Sequence, residues 1–504
     1  MTKFQIILIR RMIKGNNMSK IFFCGTCLIL LASCSVGPDY KRPHFYSDEQ
    51  LQQSLGLTTP RAKISLYWYR DFNDQLLNKL IAEGLKQSTD VKVAIERMRQ
   101  ARQNLRINKV KYLPTVDVGS SYYYLKDSRA YTGEPLSTDY FQLGFDAAWE
   151  IDIWGGGRRL TEQYKALFAA TSANLQNVKL AITAEIATTY INLRQVQEQL
   201  HIARKNEAIQ SNLYDLVKQK YNAGLTDDIS YRQAEYLLST TRETIPQLEA
   251  SVNSLQNSLA ILTAHLPKEI NSMLGYQDDN MVKKTFSYDT SRLYSMSVDV
   301  IRNRPDIRML EYDLMAKNAA IGQAIAELFP NISLSGFWGY QSKNISSLIG
   351  SSSNTYNYSP VIKLPIFHWG ALVNNVELKK SLTKESLLQY KQGILDAVSE
   401  IETAATNVEK EYQRNREAKK ALDSQQEVAE LTNIKYKNGL IDFSSVLTTQ
   451  QDLLNAQNNY ITSNSNIYTY IVSFYKMVGG GYNINNIPDT RKAASNADGV
   501  LCKG

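Results

Sequence analysis

The stretch from Phe141 to Arg159, FQLGFDAAWEIDIWGGGRR, constrains this chain more than any other. Phe141, Leu143, Phe145, Ala147, Trp149, Ile151 and Ile153 alternate with Gln142, Gly144, Asp146, Ala148, Glu150 and Asp152. A period of two marks a strand with one apolar and one polar face. Trp154 and three glycines break the alternation, and from Arg158 to Tyr221 there is neither glycine nor proline. An unbroken helix there would span roughly 95 Å at 1.5 Å per residue. Few folds feed a two-faced strand straight into a helix of that length.

The chain then repeats itself. Leu113-Pro114 recurs as Phe329-Pro330, and Val116, Val118, Ser120, Tyr122 and Tyr124 match Ile332, Leu334, Gly336, Trp338 and Tyr340 in phase. Trp154-Gly155 recurs as Trp369-Gly370, preceded on one face by Tyr358, Pro360, Ile362, Leu364 and Ile366. Gly224-Leu225 recurs as Gly439-Leu440. The offset stays at about 215 residues across all these landmarks, which identifies an internal duplication. Pro360 and Pro365 have no counterpart in the first copy, so the last strand should be the less regular one.

Taken in order, residues 1–33 read as a lipoprotein signal peptide. Residues 34–89 read as anchor, extended tether and a helix starting near Asp74. The first repeat occupies 90–304, with a helix from Asp90, strands at 115–125 and 140–154, and the long helix at 158–221. A returning helix runs from Asp228 to His265, where Pro246 should introduce a kink. The second repeat occupies 305–482, with strands at 331–341 and 356–369 and a long helix at 371–438. A polar tail, 483–504, follows.

Each repeat thus supplies two strands that are apolar on one side, and no helix with a matching face to cover them. A closed barrel in lipid satisfies both the bare face and the strand edges. Trp149, Trp338, Tyr122, Tyr124, Tyr340 and Tyr358 suit its interfacial belts. Four strands cannot close a barrel, for which the smallest types use about eight, so the chain must oligomerise; three copies give about twelve. The expected class is an α+β membrane protein: a trimeric channel-tunnel in which a transmembrane β-barrel continues into a long α-helical barrel.

The formal charge of +8 does not indicate a nucleic-acid partner. Lys3, Arg10, Arg11, Lys14 and Lys20 precede the apolar run Ile21–Leu31 with no acidic residue among them. This is the n-region and h-region of a secretory signal, and its removal takes away five of those charges. The run ends in Leu31-Ala-Ser-Cys34, which resembles the lipobox of bacterial lipoproteins. That resemblance implies acylation of Cys34, and Ser35 fits sorting to the outer membrane. Cys24 and Cys27 fall inside the signal, so with Cys34 acylated only Cys502 remains and no internal disulfide is available.

Several motifs in order carry a wider resemblance: Cys34-Ser-Val-Gly-Pro-Asp-Tyr40, Trp149-Glu-Ile-Asp-Ile-Trp154-Gly155, Arg304-Pro-Asp-Ile307, Phe329-Pro330, Pro365-Ile-Phe-His-Trp-Gly370 and Tyr475-Lys-Met-Val-Gly-Gly-Gly481. The chain resembles the TolC/OprM family of outer-membrane efflux proteins, and within it the NodT-type lipoproteins. The resemblance implies a homotrimer in outer-membrane lipid that receives drugs or small solutes from an inner-membrane efflux pump through a periplasmic membrane-fusion adaptor. A type I protein or peptide secretion duct is the alternative reading. It further implies that the turns at Gly224, Leu225, Gly439 and Leu440 are the adaptor-contact tips. Trp154, Gly155, Trp369 and Gly370 mark the junction between the barrels. The family's gate positions fall on Ser444 and Thr448, with Asp442 nearby, so the charged ring is replaced by polar side chains.

Nothing suggests an enzyme or a cofactor. His44, His201, His265 and His368 are scattered without metal-ligand spacing, and the glycine runs 155–157 and 479–481 lack phosphate-loop patterns.

Overall fold

The computed structural model describes residues 35–55, 65–126, 128, 137–274 and 299–481. The signal segment, Cys34 and the tail after residue 482 lie outside them. In chain order the elements are α1 (Asp48–Leu55), α2 (Gln75–Gln87), α3 (Thr89–Val110), β1 (Thr115–Lys126), β2 (Ser137–Glu150), α4 (Gly156–Asn222) and α5 (Asp228–Thr263). There follow α6 (Pro267–Leu274), α7 (Asp299–Asn303), α8 (Pro305–Ala326), β3 (Asn331–Ser342), β4 (Asn354–Lys363), α9 (Ala371–Lys437) and α10 (Phe443–Met477). The duplication is visible in element lengths. Helices α4 and α9 both have 67 residues, α3 and α8 both have 22, and α5 and α10 have 36 and 35.

The chain forms two compact units, and the long helices contribute residues to both. The first comprises the described residues of 35–43, 99–170 and 310–390, and holds an antiparallel sheet in the order β1-β2-β3-β4. Its register carries the duplication to the residue. Val116 faces Ala147, and their counterparts Ile332 and Ile362 face each other. The apolar face is continuous across all four strands, because Val118 faces Phe145, Phe145 faces Trp338 and Trp338 faces Tyr356. These side chains stand exposed in the isolated chain, together with Val116, Tyr122, Tyr124, Trp149, Leu334, Tyr358 and Ile362. Strand β4 has 10 residues against the 14 of β2; Pro360, which cannot donate to a ladder, lies on this edge strand, and the strand ends before Pro365.

On the opposite face Gly119, Gly144 and Gly339 form a row. The ring of Phe337, buried although it shares the polar face, lies over Gly144 and Gly339. An aromatic ring covering bare glycine backbone restores contact that the missing side chains forfeit.

The second unit comprises the described residues of 44–98, 171–309 and 391–481. Its core stacks Trp68 on Tyr475 at 4.9 Å and sets Phe72 edge-on to Tyr468. Leu77, Leu80 and Ile81 of α2 are fully buried there, and Gly84 admits Ile186 of α4. Asp74 does two jobs: one carboxylate oxygen caps α2 by accepting from the Leu76 and Leu77 amides, and the other accepts the Tyr190 hydroxyl at 2.8 Å. Helix α5 runs through Pro246 without interruption.

The structure differs from the sequence reading at two strand ends and in one further segment. The strands read as 140–154 and 356–369 end at Glu150 and Lys363, the first where the chain turns toward α4 and the second ahead of Pro365. Residues 35–66 read as an extended tether, yet α1 forms within them. Ser47 and Gln50 make a reciprocal cap, each side chain accepting the other's backbone amide. That capping box fixes the start of the helix.

In Gly339→Ala the added methyl would sit 2.3 Å from the Leu143 carbonyl oxygen and 2.5 Å from the Gly144 Cα. Backbone atoms in a ladder cannot yield cheaply, so the substitution should destabilise the protein by about 1–3 kcal/mol. A thermal melt followed at a strand-sensitive circular-dichroism wavelength reads this, and an unchanged midpoint refutes the close packing.

Candidate functional sites: the strand–helix junctions and the helical tips

At the first junction β2 ends at Glu150, and Ile151 continues the ladder by donating its amide to the Ile332 carbonyl at 2.9 Å. The Asp152 carboxylate then accepts the Gly157 and Arg158 amides, both at 3.0 Å, and so caps the start of α4. Trp154 is tucked in: its indole N–H donates to the Pro330 carbonyl at 2.7 Å, and its ring stacks on Phe329 at 4.7 Å. A stacked pair of this kind adds about 0.5–1.5 kcal/mol beyond area burial. Gly155 turns the chain with a φ of +78°.

The second junction repeats the turn but not the packing. Trp369 and Gly370 have φ values of +49° and +75°. A tryptophan in the left-handed region is unusual and costs backbone energy. Its side chain is 87% exposed and touches the neighbouring ring of Phe367. The duplication explains the difference. Trp154 of the first repeat packs on Phe329-Pro330 of the second, and the equivalent ledge for Trp369 is Leu113-Pro114.

The two hairpin turns are alike. Gly224 and Gly439 have φ values of +70° and +74°. At the first, the Leu225 amide donates to the Lys220 carbonyl and the Gly224 amide to that of Tyr221. Leu440 and Gly439 bond Lys435 and Tyr436 in the same pattern, a Schellman close to each helix. The leucines that follow are 76% and 70% exposed. Behind them Val217, Ala234, Tyr436, Phe443 and Val446 form one buried cluster, so the second unit brings both turns together. Lys220 reaches across with its ammonium 4.6 Å from the Tyr436 ring centre.

Ser444 and Thr448 lie one turn apart on the exposed side of α10, opposite Phe443 and Val446. The Thr448 hydroxyl donates to the Ser444 carbonyl at 3.1 Å. Asp442 is exposed and precedes α10 without a side-chain cap bond.

Two clusters escaped the sequence reading. Tyr214 and Tyr231 share a hydroxyl hydrogen bond of 3.0 Å, and Tyr221 stacks on Tyr231. The bond pushes the Tyr214 hydroxyl up to about 12. Tyrosines at seven- and ten-residue spacing around the turn were the available signal. The second is Arg304, buried and bonded to Asp306 and to Glu400, which lies 96 residues away. Its motif was conspicuous in the sequence, but Glu400 sits in an ordinary charged helix and only folding selects it. Among the described residues no three His, Cys, Asp or Glu side chains are grouped to hold a metal ion. No described helix is long and apolar enough to cross a membrane.

The outer membrane efflux protein family matches residues 80–265 and 296–480, one match on each repeat. Nodulation protein T of Rhizobium leguminosarum bv. trifolii is 28% identical over 462 residues, covering 90% of this chain and 96% of that protein. The solvent efflux pump outer membrane protein SrpC of Pseudomonas putida is 26% identical over 479 residues, covering 91% and 97%. Among solved structures, the outer-membrane channel OprN superposes with a TM-score of 0.81 at 28% identity, covering 89% of this chain and all of that one. The chain therefore belongs to the outer membrane efflux protein family.

Proposed function

We propose that the protein is the outer-membrane duct of a tripartite efflux system. Drugs or other small solutes, delivered by an inner-membrane pump and a periplasmic adaptor, leave through it passively. It works as a homotrimer, anchored in the outer membrane by acyl groups on Cys34, and acts as a conduit with no catalytic step. The observation that carries this reading is the sheet: one apolar face runs across four strands and, among the described residues, lies bare with both outer strands open at their edges. Lipid covers such a face, and further copies of the same sheet satisfy such edges. The name of the solvent efflux relative supports a small lipophilic cargo.

The duplication specifies how the copies join. Strand β2 of the first repeat pairs with β3 of the second, with Phe145 opposite Trp338 and Ala147 opposite Gly336. Shifting each strand to its counterpart places Pro360 of one copy opposite Tyr122 of the next, and Ile362 opposite Ser120. The same shift sets the exposed Trp369 on Leu113-Pro114 of the next copy, as Trp154 sits on Phe329-Pro330. Within one chain β1 and β4 are separated by two strands, roughly 14 Å, too far for a disulfide. A Ser120→Cys, Ile362→Cys chain lacking Cys502 should therefore oxidise to a covalent trimer. A Ser120→Cys, Val361→Cys chain, one residue out of register, should link poorly. A reversal of that order refutes the pairing.

The exposed Leu225 and Leu440 offer an apolar contact to the adaptor. Leu225→Asp or Leu440→Asp should weaken adaptor capture about tenfold or more, since a desolvated carboxylate opposes apolar contact. Unchanged affinity in a pull-down contradicts this role.

Ser444 and Thr448 form a polar constriction in place of a charged ring, with Asp442 at its rim. Thr448→Asp should lower closed-state single-channel conductance to anions relative to cations. Identical ion selectivity removes these positions from the gate.

A further inference from the structure

The residues after Cys34 are not a loose leash. The Val36 amide donates to the Trp154 carbonyl at 3.0 Å, and Ser35 packs against Gly155. The Arg159 side chain, 5% exposed, then gathers the segment with every nitrogen of its guanidinium engaged. Nε donates to the Val36 carbonyl at 3.0 Å, and Nη2 to the Gly37 carbonyl at 3.1 Å and the Asp39 carboxylate at 2.8 Å. Nη1 donates to Glu162 at 2.8 Å, which holds the fork from behind.

Beyond this fork the segment lies along α8. Gly37 rests on Gly322, Asn318 donates to the Pro38 carbonyl at 2.9 Å, and Arg42 donates to Glu311 at 2.9 Å. Residues 311, 318 and 322 form one stripe of α8. The rise from 311 to 322 is about 16 Å, and five extended residues from Gly37 to Arg42 cover nearly the same distance. Gly37, with a φ of +92°, makes the close approach possible: a methyl there would lie 2.4 Å from the Gly322 Cα. The second repeat carries Asn374 at the position of Arg159, so the device exists once per chain.

We propose that Arg159 is a positioning residue for the lipid anchor, clamping residues 36–42 as a strap and holding the acyl groups of Cys34 beside the Trp154–Gly155 junction. This rests on the reading of Cys34 as the acylated residue. One peptide unit, about 3.8 Å, separates Cys34 from Ser35, so the anchor has almost no slack. The acyl chains then enter the membrane at a fixed depth, level with the end of β2, instead of roaming on a tether. The strap also ties the first repeat, through Arg159, to the second, through Asn318 and Glu311.

Lys41 is exposed, while cleavage after Arg42 is disfavoured by Pro43. Trypsin acting on the native, full-length protein in detergent therefore reports strap opening as release of the peptide 34–41, which mass spectrometry identifies. Release should be slow from the wild type and about tenfold or more faster from Arg159→Gln. Arg159→Lys, which keeps the charge but not the fork, should fall between them. Gly37→Ala alters the strap alone and leaves the helices intact, so it should also release quickly while the protein remains folded. Wild-type release rates in both Arg159→Gln and Gly37→Ala overturn the clamp. A released peptide without acyl mass overturns the anchor while leaving the strap in place, so the two failures are distinguishable.

Discussion

The rest of the molecule depends on a sheet whose apolar side no described residue covers. Val118, Phe145, Trp338 and Tyr356 lie side by side across four strands, all exposed. In water a face of this kind is a liability, and so are the open edges of β1 and β4. In a bilayer the same face is an asset, provided that every backbone group finds a partner. The edges then become the demand that a single chain cannot meet. The glycine row beneath Phe337 lets the strands of the polar face approach closely, and Pro360 disrupts only the last strand.

The duplication turns that demand into a geometric rule. Within the chain the end of the first repeat meets the start of the second: β2 pairs with β3, and Trp154 packs on Phe329-Pro330. The end of the second repeat, β4 and Trp369, meets no such complement among the described residues, and its junction shows the deficit, with Trp369 left-handed and almost wholly exposed. One chain thus makes the same interface once and leaves it unmade once. Arg159 adds something the symmetry does not contain, because only the first repeat has an N-terminal segment to hold.

Much of this was legible in the sequence, for reasons that differ by element. The strands were readable because one face must be apolar and the other wet, which enforces alternation from Val116 to Tyr124 and from Phe141 to Trp149. The long helices were readable because neither contains proline, while residues 158–221 carry no glycine and α9 carries one, Gly393. The turns were marked by Gly224 and Gly439, whose left-handed backbone leaves little choice of residue. What stayed hidden depends on long-range pairing. Nothing near Arg159 says that it will hold carbonyls more than 120 residues earlier, and nothing near Glu400 says that Arg304 will find it. Helix α1 carries its signature in Ser47 and Gln50, but the prolines and polar residues around it outweigh so short a motif.

Counting the copies in the membrane-embedded assembly tests the central claim most directly. Native mass spectrometry of the protein released from lipid nanodiscs should give three chains, each carrying acyl groups, with no substantial monomer. A predominantly monomeric species in lipid would contradict the account, since a four-stranded sheet would then have to sit in the bilayer with both edges unpaired.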